Sequence, residues 1–147
     1  MAKSSPTQRS LKWLRDAGYT AWVAERWNSF AKIRQDLGGF GDIIAWKSGV
    51  GIVAVQTTTR AHQANRATKI LTDPKVRPKA EEWIRAWGRI VVHGWAKVKL
   101  RRGGLATRWE MSFRELSLAD FHPATEPEPE GQPSGDSGGI DDSDVPF

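Results

Sequence analysis

The chain has 147 residues, eight Trp, no Cys and a formal net charge of +5. That length suits one domain with appendages; the lack of Cys excludes disulfides and thiolate-bound zinc, and no N-terminal apolar run marks a signal peptide or membrane span. The charge is unevenly placed: from Ala124 onward there are seven acids and no Lys or Arg, so residues 1–123 hold 22 basic and 10 acidic groups, a net +12. A basic body on an acidic leash points to a polyanion partner.

In "SSPTQRSLKWLRDAGY", Ser5 is a natural N-cap, Pro6 suits the first helical position, Gln8 completes a capping box and Gly18 stops the run, which predicts a helix over 6–17. "YTAWVAERWN" alternates and is rich in aromatic and β-branched residues, so it reads as a strand; "SFAKIRQDLGGFG" reads as a mobile loop. "DIIAWK" and "GIVAVQTTT", separated by "SGVG", predict two adjacent buried strands joined by a tight turn.

"TTRAHQANRATKIL" predicts a helix at 60–71 with Thr58 or Thr59 as N-cap. "PKAEEWIRAWG" predicts a second helix carrying Ala80, Trp83, Ile84 and Trp87 as one apolar stripe, closed by Gly88. "RIVVHGWAKVKLRRGGLATRWEMSFREL" reads as strands folding back at Arg102–Gly104. Period two puts Trp95, Lys97, Lys99 and Arg101 on one side, a basic, aromatic face suited to stacking bases and following phosphates, with Arg102 in the turn. Beyond Phe121, Pro, Gly, Ser and acids leave almost nothing to bury, and disorder is expected.

The order helix, three strands, helix, strand, with Asp42 opening one strand and a polar group closing the next, resembles the PD-(D/E)XK nuclease superfamily, which includes Holliday junction resolvases and restriction endonucleases. The resemblance implies an α/β fold with a restriction-endonuclease-like core and mixed sheet, here with an added basic β-hairpin and acidic tail. In that family the first Asp and the Glu of a Glu-X-Lys element bind Mg²⁺ or Mn²⁺, and the Lys orients the attacking water. Asp42 matches the first acid, Gln56 stands in place of the Glu, and Thr58 in place of the Lys.

Residues 56 and 58 leave the same face of a strand, and the hairpin brings that face beside Asp42. The Asp42 carboxylate, the Gln56 amide oxygen and the Thr57 backbone carbonyl are candidate ligands for a hard cation. A charge to replace the missing Lys is expected from the next helix, where His62, Arg66 and Lys69 share a face, and Glu25 is a candidate extra carboxylate. Simpler roles fit the same residues: Asp42 as a turn acid, Gln56 and the threonines as helix caps, Glu25 paired with an Arg, and a solvated helix face. His93 is read as structural.

"GIDDSDVPF" resembles the acidic tip of bacterial single-stranded DNA-binding proteins. That resemblance implies that Asp141, Asp142, Asp144, Val145, Pro146 and Phe147 dock on replication and repair enzymes of the host. The expectation is thus a DNA-binding domain over 1–123 and a docking tail over 124–147, compatible with a homodimer, acting on single-stranded or branched DNA in a bacterial cytoplasm or nucleoid. Two functions stay open: a Mg²⁺-dependent nuclease, or a cleavage-silent module that grips DNA and recruits partners.

Overall fold

The computed structural model describes residues 4–123. The expected disorder and docking role of the segment after Ala124 therefore lie outside the described residues. The elements run α1 (Pro6–Asp16), β1 (Thr20–Val23), β2 (Arg26–Asn28), β3 (Ile33–Gln35), β4 (Ile43–Lys47), β5 (Gly51–Thr59), α2 (Gln63–Thr72), α3 (Arg77–Arg85), β6 (Arg89–Lys99), β7 (Thr107–Leu116) and α4 (Leu118–Phe121). This is an α/β fold. Its main sheet is mixed, in the order β1-β4-β5-β6-β7, with β5 and β6 parallel and the other neighbours antiparallel.

A parallel pair needs a crossover, and α2 with α3 supplies it between β5 and β6. Both faces of the sheet are covered. On one, Leu11 and Leu14 of α1 pack with Ala21, Ile43, Ala45, Val53 and Val55. On the other, Ala67, Ile70 and Ala80 of α2 and α3 pack with Ala54, Ile90 and Val92. Alternation along β5 thus sends Val53 and Val55 to α1 and Ala54 to α2, as a strand buried on both faces requires. No helix among the described residues is long and apolar enough to cross a membrane.

Helix α1 starts as its sequence predicts, with the Ser5 hydroxyl accepting from the Gln8 amide at 3.2 Å. Helix α2 is preceded by a 3-10 turn, Arg60–His62, and Thr59 makes no side-chain cap to it. Gly94 is what lets that turn lie against β6, because a Cβ there would meet the Gln63 amide oxygen at 2.7 Å and the Arg60 backbone at 3.1 Å. The Gln63 amide nitrogen then bonds to Val92 O at 2.9 Å and Ser112 O at 3.1 Å, seating α2 on the sheet.

Four expectations need correction. The run 19–28 is not one strand, and 29–41 is not a free loop: β1 leaves the main sheet after Val23, and β2 and β3 form a separate antiparallel hairpin. The amides of Ala24 and Glu25 both bond to Asp42 O, at 2.8 and 3.2 Å, so two residues oppose one and the strand bends away as at a β-bulge. Trp87 is not on the apolar stripe of α3. The helix ends at Arg85, and Trp87 takes a left-handed φ of 72° with its ring 91% exposed. Trp95 is not on an open face either, being 7% exposed beneath α1.

Candidate functional site around Asp42

The bulge places Asp42 at the mouth of the β4–β5 hairpin, directly opposite the end of β5. Its carboxylate is 7% exposed, and Oδ2 accepts three hydrogen bonds: Thr57 N at 2.8 Å, Gln56 Nε2 at 3.0 Å and Thr57 Oγ1 at 3.1 Å. The Thr57 hydroxyl also meets the Thr7 hydroxyl of α1 at 2.8 Å, tying this corner to the first helix. Burial pushes the Asp42 carboxyl up from its ordinary range, the Thr57 hydrogen bonds pull it back, and the negative charges of Glu25 and Asp36 push it up further.

Asp42, Gln56 and Thr57 line a cavity of about 660 Å³ together with Glu25, Asp36 and Arg66. Arg26, Trp27 and Arg34 also line it. The Gln56 side chain is 4% exposed, and its Oε1 is buried with no hydrogen-bond partner. A flip of the amide would set that oxygen against the Asp42 carboxylate, so the orientation is dictated by the pair. An orphaned buried acceptor costs free energy unless something fills the space beside it.

Among the described residues no group of three or more His, Asp or Glu side chains lies close enough to hold a metal ion. The oxygens that remain are Gln56 Oε1 and Asp42 Oδ1, which takes no hydrogen bond from the described residues. Mg²⁺ is commonly held through one or two carboxylates, with water and phosphate in the rest of its shell, so Asp42 would be the carboxylate that holds it here. Thr57 meets Asp42 as a donor, through its amide and hydroxyl.

Thr58 faces a neighbouring hollow of about 400 Å³ with His62, Asn65, Arg66 and Lys69. The predicted helix face is thus assembled, and Arg66 borders both spaces. Glu25 lines the first cavity and pairs with Arg34 at 2.8 Å, the ion pair of its simpler reading. No protein-family model, no curated protein and no solved structure matches this chain. The site therefore rests on its geometry.

The second predicted site, on β6, is rearranged. Trp95 Nε1 donates to Ser10 Oγ at 2.8 Å, and Ser10 Oγ meets His93 Nδ1 at 2.9 Å. Trp95 is a core anchor for α1 and does not stack bases. Lys97 and Lys99 remain exposed, Arg101 and Arg102 sit in the open turn, and the aromatic that accompanies them is Trp109, opposite Lys97 and 44% exposed. The Arg9 guanidinium lies 3.6 Å from the Trp109 ring centre. Sequence reading missed Asp36, Arg26 and Arg34 at the cavity, and Arg9 and Trp109 on the sheet. For Trp109 the signal was present, since it sits in the same period-two hairpin as Lys97.

Proposed function

We propose that this chain is a DNA-processing protein whose Asp42 cavity is a degenerate phosphodiester-cleaving centre of the PD-(D/E)XK type. The observation that carries this reading is a buried carboxylate, Asp42, that accepts from Gln56 Nε2 and lines a cavity bordered by Arg66, with Gln56 Oε1 buried and unpartnered beside it. It is supported by element order: with β2–β3 taken as an insertion, the chain runs helix, three strands, helical crossover, strand.

Asp42, with Gln56 beside it, would hold Mg²⁺ or Mn²⁺, which would supply Lewis-acid stabilisation of the phosphate and a lowered pKa for bound water. The protein's own part is positional. Thr57, held by α1 through Thr7, fixes the Asp42 carboxylate by two donors. Arg66 offers a guanidinium to a phosphate oxygen, and Lys69, in the adjoining hollow, contributes the positive field that Thr58 does not. Lys97, Lys99, Arg101 and Arg102 extend the cationic path for the rest of the strand.

A second reading, a cleavage-silent DNA-binding module that recruits replication and repair proteins through its tail, is favoured by one observation. Asp42 is hydrogen-bonded to Gln56 where the nuclease motif has a second acid, and among the described residues no three His, Asp or Glu side chains are grouped to hold a metal. Incubating the purified protein with single-stranded, duplex and four-way DNA in Mg²⁺, Mn²⁺ or EDTA separates the two. Cutting that needs the cation and vanishes in Asp42→Ala supports the first; binding without cutting supports the second. Absence of binding to every DNA overturns both.

A further inference from the structure

The β2–β3 hairpin stands apart from the main sheet, and holding Asp42 does not explain its surface. Residues Arg26 to Gln35 carry three cations, Arg26, Lys32 and Arg34, and no acid. Trp27 is 61% exposed, Ile33 52% and Phe30 fully. Large apolar side chains gathered on one small element mark a surface that meets something. The tip is also built rather than loose: Asn28 Oδ1 accepts from the amides of Phe30 and Ala31 at 3.0 and 3.1 Å, and Lys32 takes a left-handed φ of 52°. Phe30 is held outward by that turn.

Beside it lies a hollow of about 280 Å³ lined by Arg26, Trp27, Asn28, Ser29, Phe30 and Gln35. It offers two aromatic rings, two side-chain amides and a guanidinium, the groups that receive an unstacked base by its face and its edges. Arg26 and Trp27 also border the Asp42 cavity. We propose that the β2–β3 hairpin is a wedge that recognises the junction between double- and single-stranded DNA. Phe30 abuts the last base pair, and the first unpaired base lies on Trp27, which leads its strand toward Asp42.

Arg34 is engaged by Glu25, so Arg26 and Lys32 meet the flanking phosphates. Aromatic insertion at a base step is costly in continuous duplex and least so where pairing already ends. A junction is therefore the substrate class that this tip selects. A lipid surface also accepts exposed Trp and Phe, but a hollow that sets the Asn28 and Gln35 amides and the Arg26 guanidinium beside the two rings matches the edges and face of a base, which favours nucleic acid. The inference rests on the reading of the Asp42 cavity as DNA-facing.

The test uses the full chain in EDTA, so that no cleavage is needed. A fork carrying 2-aminopurine at the junction pair, and a blunt duplex with the same probe inside, are titrated with protein. Expected are a fluorescence rise on the fork alone and a fork affinity about 10-fold above duplex, within the range for one stacked base. Phe30→Ala should remove the rise and reduce the preference below about 2-fold with an unchanged melting temperature, since the side chain is fully exposed. Trp87→Gly, an exposed aromatic away from the cavity, should keep both. Equal binding of fork and duplex, or preference surviving in Phe30→Ala, overturns the wedge while leaving DNA binding intact. Loss of all DNA binding in the wild-type chain removes the parent reading as well. Tighter, Phe30-dependent binding to vesicles of anionic lipid would assign the hairpin to a membrane surface.

Discussion

Gln56 donates its amide N–H to Asp42 Oδ2 at 3.0 Å while its own Oε1 stays buried without a partner. A Glu at position 56 would present a second carboxylate there, and the pair would repel unless a cation or a proton lay between them. With Gln, the corner closes on itself through a hydrogen bond. Gln at this position leaves Asp42 as the one carboxylate of the pair, with Glu25 and Asp36 elsewhere in the cavity lining.

Asp42→Asn should stabilise the protein at neutral pH while removing the cation-dependent activity. Burial raises the Asp42 pKa in the folded state, so its contribution to stability is fully present below the unfolded value of 3.8 and is lost as pH rises through the raised folded value. Asn keeps an acceptor for Thr57 and Gln56 but never pays that cost of ionisation. Melting curves of both proteins across pH check this: the gain should be present at pH 7 and shrink in acid. A lower melting temperature for Asn at pH 7 would show that the hydrogen bonds need the full charge.

Gln56→Glu should make stability depend on divalent cation. Without metal, two carboxylates about one hydrogen-bond length apart repel, and the melting temperature should fall. Mg²⁺ should restore it by a larger shift than it produces in the wild type. Thermal melts in EDTA and in Mg²⁺ read this directly, with no nuclease assay. Equal shifts in the two proteins would place the cation elsewhere.

How much of this was legible in the sequence follows from what sets each feature. The β4–β5 hairpin was readable because two apolar runs flank "SGVG", and the Asp42–Gln56 adjacency follows from that hairpin alone. The β2–β3 hairpin was not, since three-residue strands carry too few alternations to be told from loop. Period two correctly grouped Trp95 with Lys97 but said nothing of what covers that face, and α1 covers Trp95 through Ser10 while leaving Lys97 open. For Trp87 the i+7 spacing assumed a helix that continues past Arg85, whereas the chain turns left-handed first. Asp36 and Arg34 joined the cavity through the bulge at Glu25, a tertiary event with no local signature.

His93 should make folding sensitive to mild acid. Ser10 Oγ accepts from Trp95 Nε1–H and shares a hydrogen bond with His93 Nδ1, which holds the buried ring under α1. Burial lowers its pKa from 6.5 to about 4. The unfolded chain binds the proton first, so this stability is fully present above pH 6.5 and is lost as pH falls toward about 4. At about 1.4 kcal/mol per pH unit, the window amounts to roughly 3 kcal/mol. Urea unfolding at a series of pH values should show the slope, and His93→Gln should flatten it. A slope unchanged by the substitution would assign the acid sensitivity to other groups.

The exposed cations of the β6–β7 hairpin should set the salt dependence of DNA binding, and the two tryptophans there should behave oppositely. Neutralising Lys97, Lys99 and Arg101 together should lower the slope of log K against log salt by up to roughly 2–3, at about 0.7–0.9 for each phosphate contact. Trp109→Ala should weaken single-stranded binding by about 1–3 kcal/mol if a base displaces Arg9 from its ring, with little change in stability. Trp95→Ala should instead destabilise the fold by about 3–5 kcal/mol, because it empties a buried site under α1 and leaves Ser10 without its donor. Fluorescence anisotropy at several salt concentrations, paired with melting curves, separates the two kinds of loss. A triple variant with an unchanged slope would move the DNA path to the face shared by His62, Arg66 and Lys69, where Arg66 already borders the cavity.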